Sequence, residues 1–354
     1  MIPRSILFFA FFAGLAFLSG CNRNACKEST YQPYLYDNVA YLDTADNGFS
    51  RGWHGHERSN PGAWFDVHMH IAKACSTEAL AKEAVGFWRK QFGAYDWAGG
   101  AIMAYPGSGI FDYVKADSTV AAYLRLPYNN PDVTLVDSLF RLGKIRGIKL
   151  HMRPIYEKGL DYKIMDSDAW HAVYAKCGEL GIPIILHLNQ RLTNPNLVHG
   201  VDKEGAWKKL GYTNADVLKW FEESVANRHS NTRIILAHFN FMGYGPLGAL
   251  LDRHPNLYTD GSSAWHIGPY HHLTPSEIET IRAFAIHYQD RLMFGTDFAI
   301  HVPKPDEDVR YWLNAYENPI RFIMQLELPA PVLSKIAYKN ALKVLNMKQS
   351  FEAF

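Results

Sequence analysis

From Trp64 onward the chain repeats one pattern: a short apolar run, a turn, then a longer amphipathic stretch. The short runs are AWFDVHMHI, GAIMAYP, VAAYLRLPY, GIKLHM, IPIILHL, RIILAHF, NLYTDGS and RLMFGTD, rich in β-branched or aromatic residues and bounded by turn formers. Between them lie TEALAKEAVGFWRKQF, VTLVDSLFRLGKI, DAWHAVYAKCGEL, NADVLKWFEESVAN and SEIETIRAFAIHY, which carry helical patterns. Strands that alternate with helices form parallel βα units, because each crossover helix brings the chain back in the same direction. Eight such strands in about 240 residues match a single (β/α)8 TIM barrel. PDEDVRYWLNAYENPIRFIMQL and PAPVLSKIAYKNALKVLN read as extra C-terminal helices closing the outside. The competing architecture, an open doubly wound sheet, needs a glycine-rich phosphate loop after its first strand. Here that strand ends in Asp66-Val67-His68-Met69-His70 instead, and the chain has no Walker loop, G-x-S-x-G elbow or zinc-finger Cys spacing.

The segment ahead of the repeats is of another kind. Arg4 supplies a positive start and residues 6–18 form an uncharged apolar run. It is short for a membrane span, which needs about 20 residues, and suits a secretory signal. Leu18-Ser19-Gly20-Cys21 resembles the bacterial lipoprotein signal, in which the Cys becomes the lipidated first residue. The expected organisation is a signal peptide over 1–20, a tether and irregular lead-in over 21–62, and the barrel over 63–354. The protein is then exported and anchored through Cys21 to a membrane, at the periplasmic or outer-membrane face. Cys26, Cys75 and Cys177 are too scattered to make a disulfide framework and read as buried or incidental thiols.

Composition narrows the function. Lys plus Arg is 36 against 35 for Asp plus Glu, a net charge of +1, and no basic run supplies an electrostatic footprint for nucleic acid. The sixteen His are the first sign of metal chemistry. In a barrel the working residues come from the C-terminal ends of strands. The first strand ends in His68 and His70, the fourth carries Lys149 and His151, the fifth ends in His187, the sixth in His238 and the eighth in Asp297. His68 and His70 lie two apart, so both face one side and can grip one ion. Taken singly, His187 and His238 read as satisfied core histidines and Asp297 as a helix N-cap; as a set they are the donors a divalent cation such as zinc requires. His54-Gly55-His56 has the same spacing as the first-strand pair but lies in a Gly/Ser/Pro-rich stretch, and Tyr270-His271-His272 reads as an exposed loop.

FDVHMH, GIKLHMRP, GIPIILH, IILAHF, NLYTDGS, FGTD and the closing NALKVL resemble, in order, the amidohydrolase-related (type 2) branch of the metal-dependent amidohydrolase superfamily, from about residue 64 to 347. The resemblance implies one metal held by His68, His70, His187 and Asp297, with His238 free as general acid/base. It also complicates the picture at Lys149, because in binuclear members a fourth-strand Lys is carbamylated and bridges two metals. A single zinc, or manganese, is the expected cofactor, and the binuclear arrangement stays open.

A bound divalent cation lowers the pKa of its water from about 15.7 to about 7, which makes hydroxide available for attack on a lactone, ester or amide carbonyl. His238 is the expected proton carrier, with Asp297 able to share the role. The expectation is therefore a metal-dependent hydrolase of a small, carboxylate-bearing or cyclic substrate. Non-oxidative decarboxylation at the same site is the alternative, and a non-catalytic ligand-binding lipoprotein the remote one. Arg125 and Arg153, after the third and fourth strands, are candidate carboxylate ligands; each reads alternatively as a structural ion pair. His151 is a further candidate substrate contact, and Trp265, after the seventh strand, a candidate aromatic wall.

Overall fold

The computed structural model of the chain describes residues 62–189, 210–262 and 275–350. Its core is a sheet of parallel strands in which neighbours in sequence are neighbours in space. The strands are β1 (Trp64–Ile71), β2 (Trp97–Ala104), β3 (Val120–Arg125), β4 (Gly147–His151), β5 (Ile184–His187), β6 (Ile234–Leu236), β7 (Leu257–Asp260), β8 (Leu292–Met293) and β9 (Phe298–Ile300). Each of the eight sequence runs becomes a strand; the last, RLMFGTD, holds only the two residues of β8, and β9 begins immediately after it. β8 pairs with β7, and β9 pairs with β1. Between them the Val67 N–H donates to the Phe294 carbonyl and the Asp297 N–H to the His68 carbonyl. The 292–300 segment thus serves as one eighth stave, closing a TIM barrel. Its regular pairing is interrupted because the Phe294 N–H is taken by the carbonyl of Ile336, in a π-helical segment, Lys335–Lys339.

Helices cover the outside: α1 (Glu78–Phe92), α2 (Ile110–Tyr113), α3 (Val133–Arg141), α4 (Arg153–Glu157), α5 (Asp168–Leu180), α6 (Asn214–Trp220), α7 (Tyr244–Arg253), α8 (Pro275–His287), α9 (Val309–Gln325), α10 (Ala330–Ser334) and α11 (Asn340–Val344). Their starts follow ordinary capping chemistry. Thr77 accepts from the Leu80 N–H, Asp132 from the Thr134 and Leu135 N–H groups, and Thr213 forms a reciprocal box with Asp216. α1 turns Trp88 and Phe92 inward, where Phe92 stacks on Tyr316 of α9 at 3.9 Å and both rings of α1 meet Phe298 of β9. The extra C-terminal helices are therefore part of the wall: Asn340 of α11 donates to the carbonyls of Gln289 and Leu292 beside β8. Cys75 and Cys177 are free, buried thiols.

Two site residues sit differently from the sequence expectation. His238 is not on a strand: β6 stops at Leu236, and His238 opens a left-handed run with φ of 61°, 51°, 53° and 46° through Phe241. Asp297 does not cap a helix: it has φ 64° and leads into β9. In both places a side-chain hydrogen bond to the backbone captures a group that a continuing strand would pair.

The barrel interior leaves no room at Gly147, the first residue of β4. A Cβ there would lie 2.3 Å from the buried Tyr123 ring and 2.8 Å from the Pro183 carbonyl. Gly147→Ala is expected to cost about 1–3 kcal/mol, seen as a lower melting temperature; an unchanged melting curve would mean that Tyr123 can give way.

Candidate metal centre

The strand ends bring His68, His70 and Asp297 together. Each offers one ligand atom, and these atoms lie within 4.8 Å of one another. Nε2 of His70 is 2.9 Å and Nε2 of His68 3.3 Å from the same oxygen, Oδ1 of Asp297. Asp297 reaches them because the preceding Thr296 is clamped by Asp66. Asp66 Oδ1 accepts from the Thr296 N–H at 3.1 Å and from the His68 N–H at 3.0 Å, and Oδ2 from the Thr296 hydroxyl at 2.5 Å. Burial outweighs these donors and pushes the Asp66 carboxyl up to about 7.

His68 is wholly buried and is oriented from behind. Its Nδ1 lies 3.1 Å from Oδ2 of Asp260, at the end of β7, and 2.9 Å from the Ser262 hydroxyl. Burial alone would keep Asp260 protonated, but the neighbouring His68, His238 and Ser262 outweigh it and hold the carboxyl down at about 2. Asp260 is therefore an acceptor, His68 Nδ1 carries the proton, and Nε2 is the atom left to face Asp297. Burial and the Lys149 charge push the His68 pKa down, yet the two carboxylates prevail and raise it.

His187 and His238 form a second ordered chain. His238 Nδ1 lies 2.7 Å from the Ser262 carbonyl, which can only accept, so Nδ1 is the protonated nitrogen. Its Nε2 then accepts from Nδ1 of His187 at 3.1 Å. Nε2 of His187 is left with a lone pair, is buried, and finds no hydrogen-bond partner among the described residues. Burial, with the charges around it, lowers the His187 pKa well below its usual value; burial also lowers His70 and His238, each to about 4. Asp297 is held well below the carboxylate range, because His68 and His70 outweigh its burial. A half-buried carboxylate, three imidazoles able to present bare nitrogens and one such nitrogen without a donor fit a divalent cation.

Lys149 and His151 share a face of β4. Lys149 is fully buried, its Nζ 3.2 Å from Nε2 of His68, and burial brings its pKa down to about 8. The His151 ring stacks on His187 at 4.1 Å and 14°. Arg125 lies over the Tyr105 ring, 4.6 Å from its centroid, with Lys73 at 4.7 Å from the same centroid. Arg153 instead pairs with Glu157, one turn along α4, at 2.6 Å. Trp265, Cys21, His54, His56, His271 and His272 lie outside the described residues.

Asp66, Thr296, Asp260 and Ser262 were not singled out from sequence as parts of this centre. The signal for Asp66 is its place in Asp66-x-His68-x-His70, where alternation puts all three side chains on one face. That for Asp260 is its position as the last residue of β7.

A family model described as amidohydrolase matches residues 65–347. No curated protein matches the chain. Among solved structures, the chain is similar to an uncharacterized TIM-barrel protein from Bordetella bronchiseptica, with a TM-score of 0.52 and 16% identity over 80% of this chain and 99% of that one. It is similar also to 5-carboxyvanillate decarboxylase from Sphingomonas paucimobilis, at 0.51 and 10% over 81% of this chain and 100% of that one. A third is a dihydroxybenzoic acid decarboxylase from Polaromonas sp. JS666, bound to manganese and 2-nitroresorcinol, at 0.51 and 13% over 80% and 97%. These likenesses bear on the fold, and the family match on descent: from β1 to α11 the chain belongs to the amidohydrolase family.

Proposed function

We propose that the protein is a metal-dependent hydrolase that uses activated water to cleave a C–O or C–N bond in a small, carboxylate-bearing lactone, ester or amide. The observation that carries this reading is the convergence of His68 Nε2, His70 Nε2 and Asp297 Oδ1, with a buried, unsatisfied Nε2 on His187, whose other ring nitrogen meets His238. His68, His70, His187 and Asp297 would hold one divalent cation, zinc or manganese. Such a cation lowers the pKa of water toward about 7 and polarises a carbonyl oxygen.

The chain's own groups supply the rest. His238 is the proton carrier in this reading: the Ser262 carbonyl fixes its tautomer, leaving Nε2 to take a proton when it exchanges His187 for the attacking water. Burial disfavours the imidazolium so formed, while Asp297 and Asp260 favour it. Arg125 supplies substrate recognition. It is half-buried, and among the described residues it has no carboxylate partner, its contact being the Tyr105 ring. A guanidinium so placed suits a substrate carboxylate, which it can hold with two parallel bonds. Export and attachment through Cys21 belong to the same proposal and rest on the 1–21 sequence alone.

The reading is tested by screening metal-loaded protein against lactones, esters, amides and aromatic acids, scoring water addition against carbon dioxide release; carbon dioxide release without hydrolysis would assign it to the decarboxylases. Metal analysis is expected to find near one equivalent per chain. Asp260→Asn should weaken metal binding about 10–100-fold, measured by competition with a chelating dye, and unaltered affinity would remove Asp260 from its orienting role. His238→Asn should keep the metal and lose most turnover, so a variant of normal kcat would end the proton-carrier assignment. Arg125→Met should raise KM for an anionic substrate about 10–100-fold and leave that of a neutral analogue alone; equal effects on both would exclude charge recognition.

A further inference from the structure

One imidazole at the barrel mouth has a fixed tautomer and no use in the scheme above. His151 ends β4 in register with His187 on β5, and its half-buried ring lies nearly parallel to that of His187. Nδ1 of His151 is 3.0 Å from the backbone nitrogen of Arg153, the first residue of α4. A backbone N–H can only donate, so Nδ1 must carry the lone pair and the ring proton must sit on Nε2. The same bond blocks a second proton at Nδ1, which keeps the ring neutral. Nε2–H, across the ring from Arg153, has no hydrogen-bond partner among the described residues. Lys149, two residues earlier on the same face, reaches His68, and the stack sets His151 against a member of the proposed donor set.

We propose that His151 is a catalytic residue, its Nε2–H donating a hydrogen bond to the oxygen of the carbonyl under attack. As the water oxygen bonds to carbon, the carbonyl π pair moves onto that oxygen, and the donor meets the charge where it develops. When the pair returns, the C–O or C–N bond breaks and the leaving group departs with the proton that His238 took from the water. His151 gives up no proton at any stage. A neutral imidazole with a single available N–H suits this role, because it stabilises the oxyanion without being consumed as an acid. The inference rests on the hydrolase reading and adds to it a specificity for substrates that develop an oxyanion.

Two substitutions separate the donor from a merely structural ring. In His151→Asn the amide oxygen can still accept from Arg153, but no donor reaches the place of Nε2. In His151→Gln the longer side chain returns an N–H there and gives up the acceptor. The probes are mono-p-nitrophenyl succinate, an ester with a free carboxylate, and phenylphosphonate as a tetrahedral anion, with the zinc-loaded full chain; metal content and melting temperature are measured alongside. His151→Asn is expected to lower kcat about 10²–10³-fold with KM little changed, to weaken phenylphosphonate binding, and to leave metal content and melting temperature as in the parent. His151→Gln is expected to restore most of the lost kcat. Normal turnover in His151→Asn, or a loss confined to the stability of His151→Gln, would overturn the proposal and leave a helix-capping ring. A parent protein that neither cleaves the ester nor binds the phosphonate would overturn the hydrolase reading itself, and this inference with it.

Discussion

The buried clasp between Asp66 and Thr296 is the contact on which the geometry of the centre depends. It joins the first and last staves of the barrel, residues more than two hundred positions apart, at the level where the ligand side chains emerge. Asp66 also accepts from the His68 N–H, so one carboxyl sets the backbone of a first-strand histidine and of the residue before Asp297. The return bond, from the Asp297 N–H to the His68 carbonyl, completes a small ring of contacts. Without that ring, Asp297 has no reason to leave the extended conformation. With it, Asp297 takes φ 64° and turns its carboxylate onto both first-strand imidazoles.

The same device is repeated across the mouth. A non-glycine residue in the left-handed region costs roughly 1–2 kcal/mol, and the run from His238 to Phe241 holds four in succession. Asp260 contributes to holding it: Oδ1 accepts from the His238 N–H at 3.3 Å and from the Ser262 N–H at 2.9 Å, and also from the Ser262 hydroxyl. Oδ2 of the same residue orients His68. Strain of this kind persists only where surrounding bonds over-determine it. Here those bonds come from two buried acids, Asp66 and Asp260.

This division explains what was legible in the sequence. The strands and the longer helices were, because each carries its own period and its own turn residues, while α2, α4 and α7 fall outside the helical stretches read there. The meeting of His68, His70 and Asp297 was, because strand ends in a barrel converge whatever the details of the loops. What was not legible is whatever depends on one residue meeting another across the barrel. The split of the eighth stave follows from the Ile336 carbonyl taking the Phe294 N–H, and nothing in RLMFGTD announces it. His238 looks in sequence like the end of a sixth strand, and only the pull of Asp260 and Ser262 turns it into a left-handed bend. Arg153 and Arg125 looked alike as cations after strands. Glu157, four residues along a short helix, engages the first, while Tyr105 engages the second through its ring, and among the described residues no carboxylate pairs with it.

Charge counting bears on the number of metals. Around His68 lie two carboxylates held low, the buried Asp260 and the half-buried Asp297, and one buried amine, Lys149, brought down to about 8. Net charge in such surroundings is costly unless balanced. One divalent ion balances the two carboxylates if Lys149 gives up its proton, which a pKa already lowered by burial makes easy and the approach of a further positive charge makes easier. A carbamylated Lys149 would add a third negative charge and would need a second divalent ion to offset it. The ligand atoms of His68, His238 and Asp260 also lie within 4.8 Å of one another, but a second ion there would displace the bonds that His238 makes to the Ser262 carbonyl and His187 and that Asp260 makes to His68, His238 and Ser262. A neutral Lys149 beside a single ion leaves each of these bonds in place, and it is on this ground that one ion is proposed.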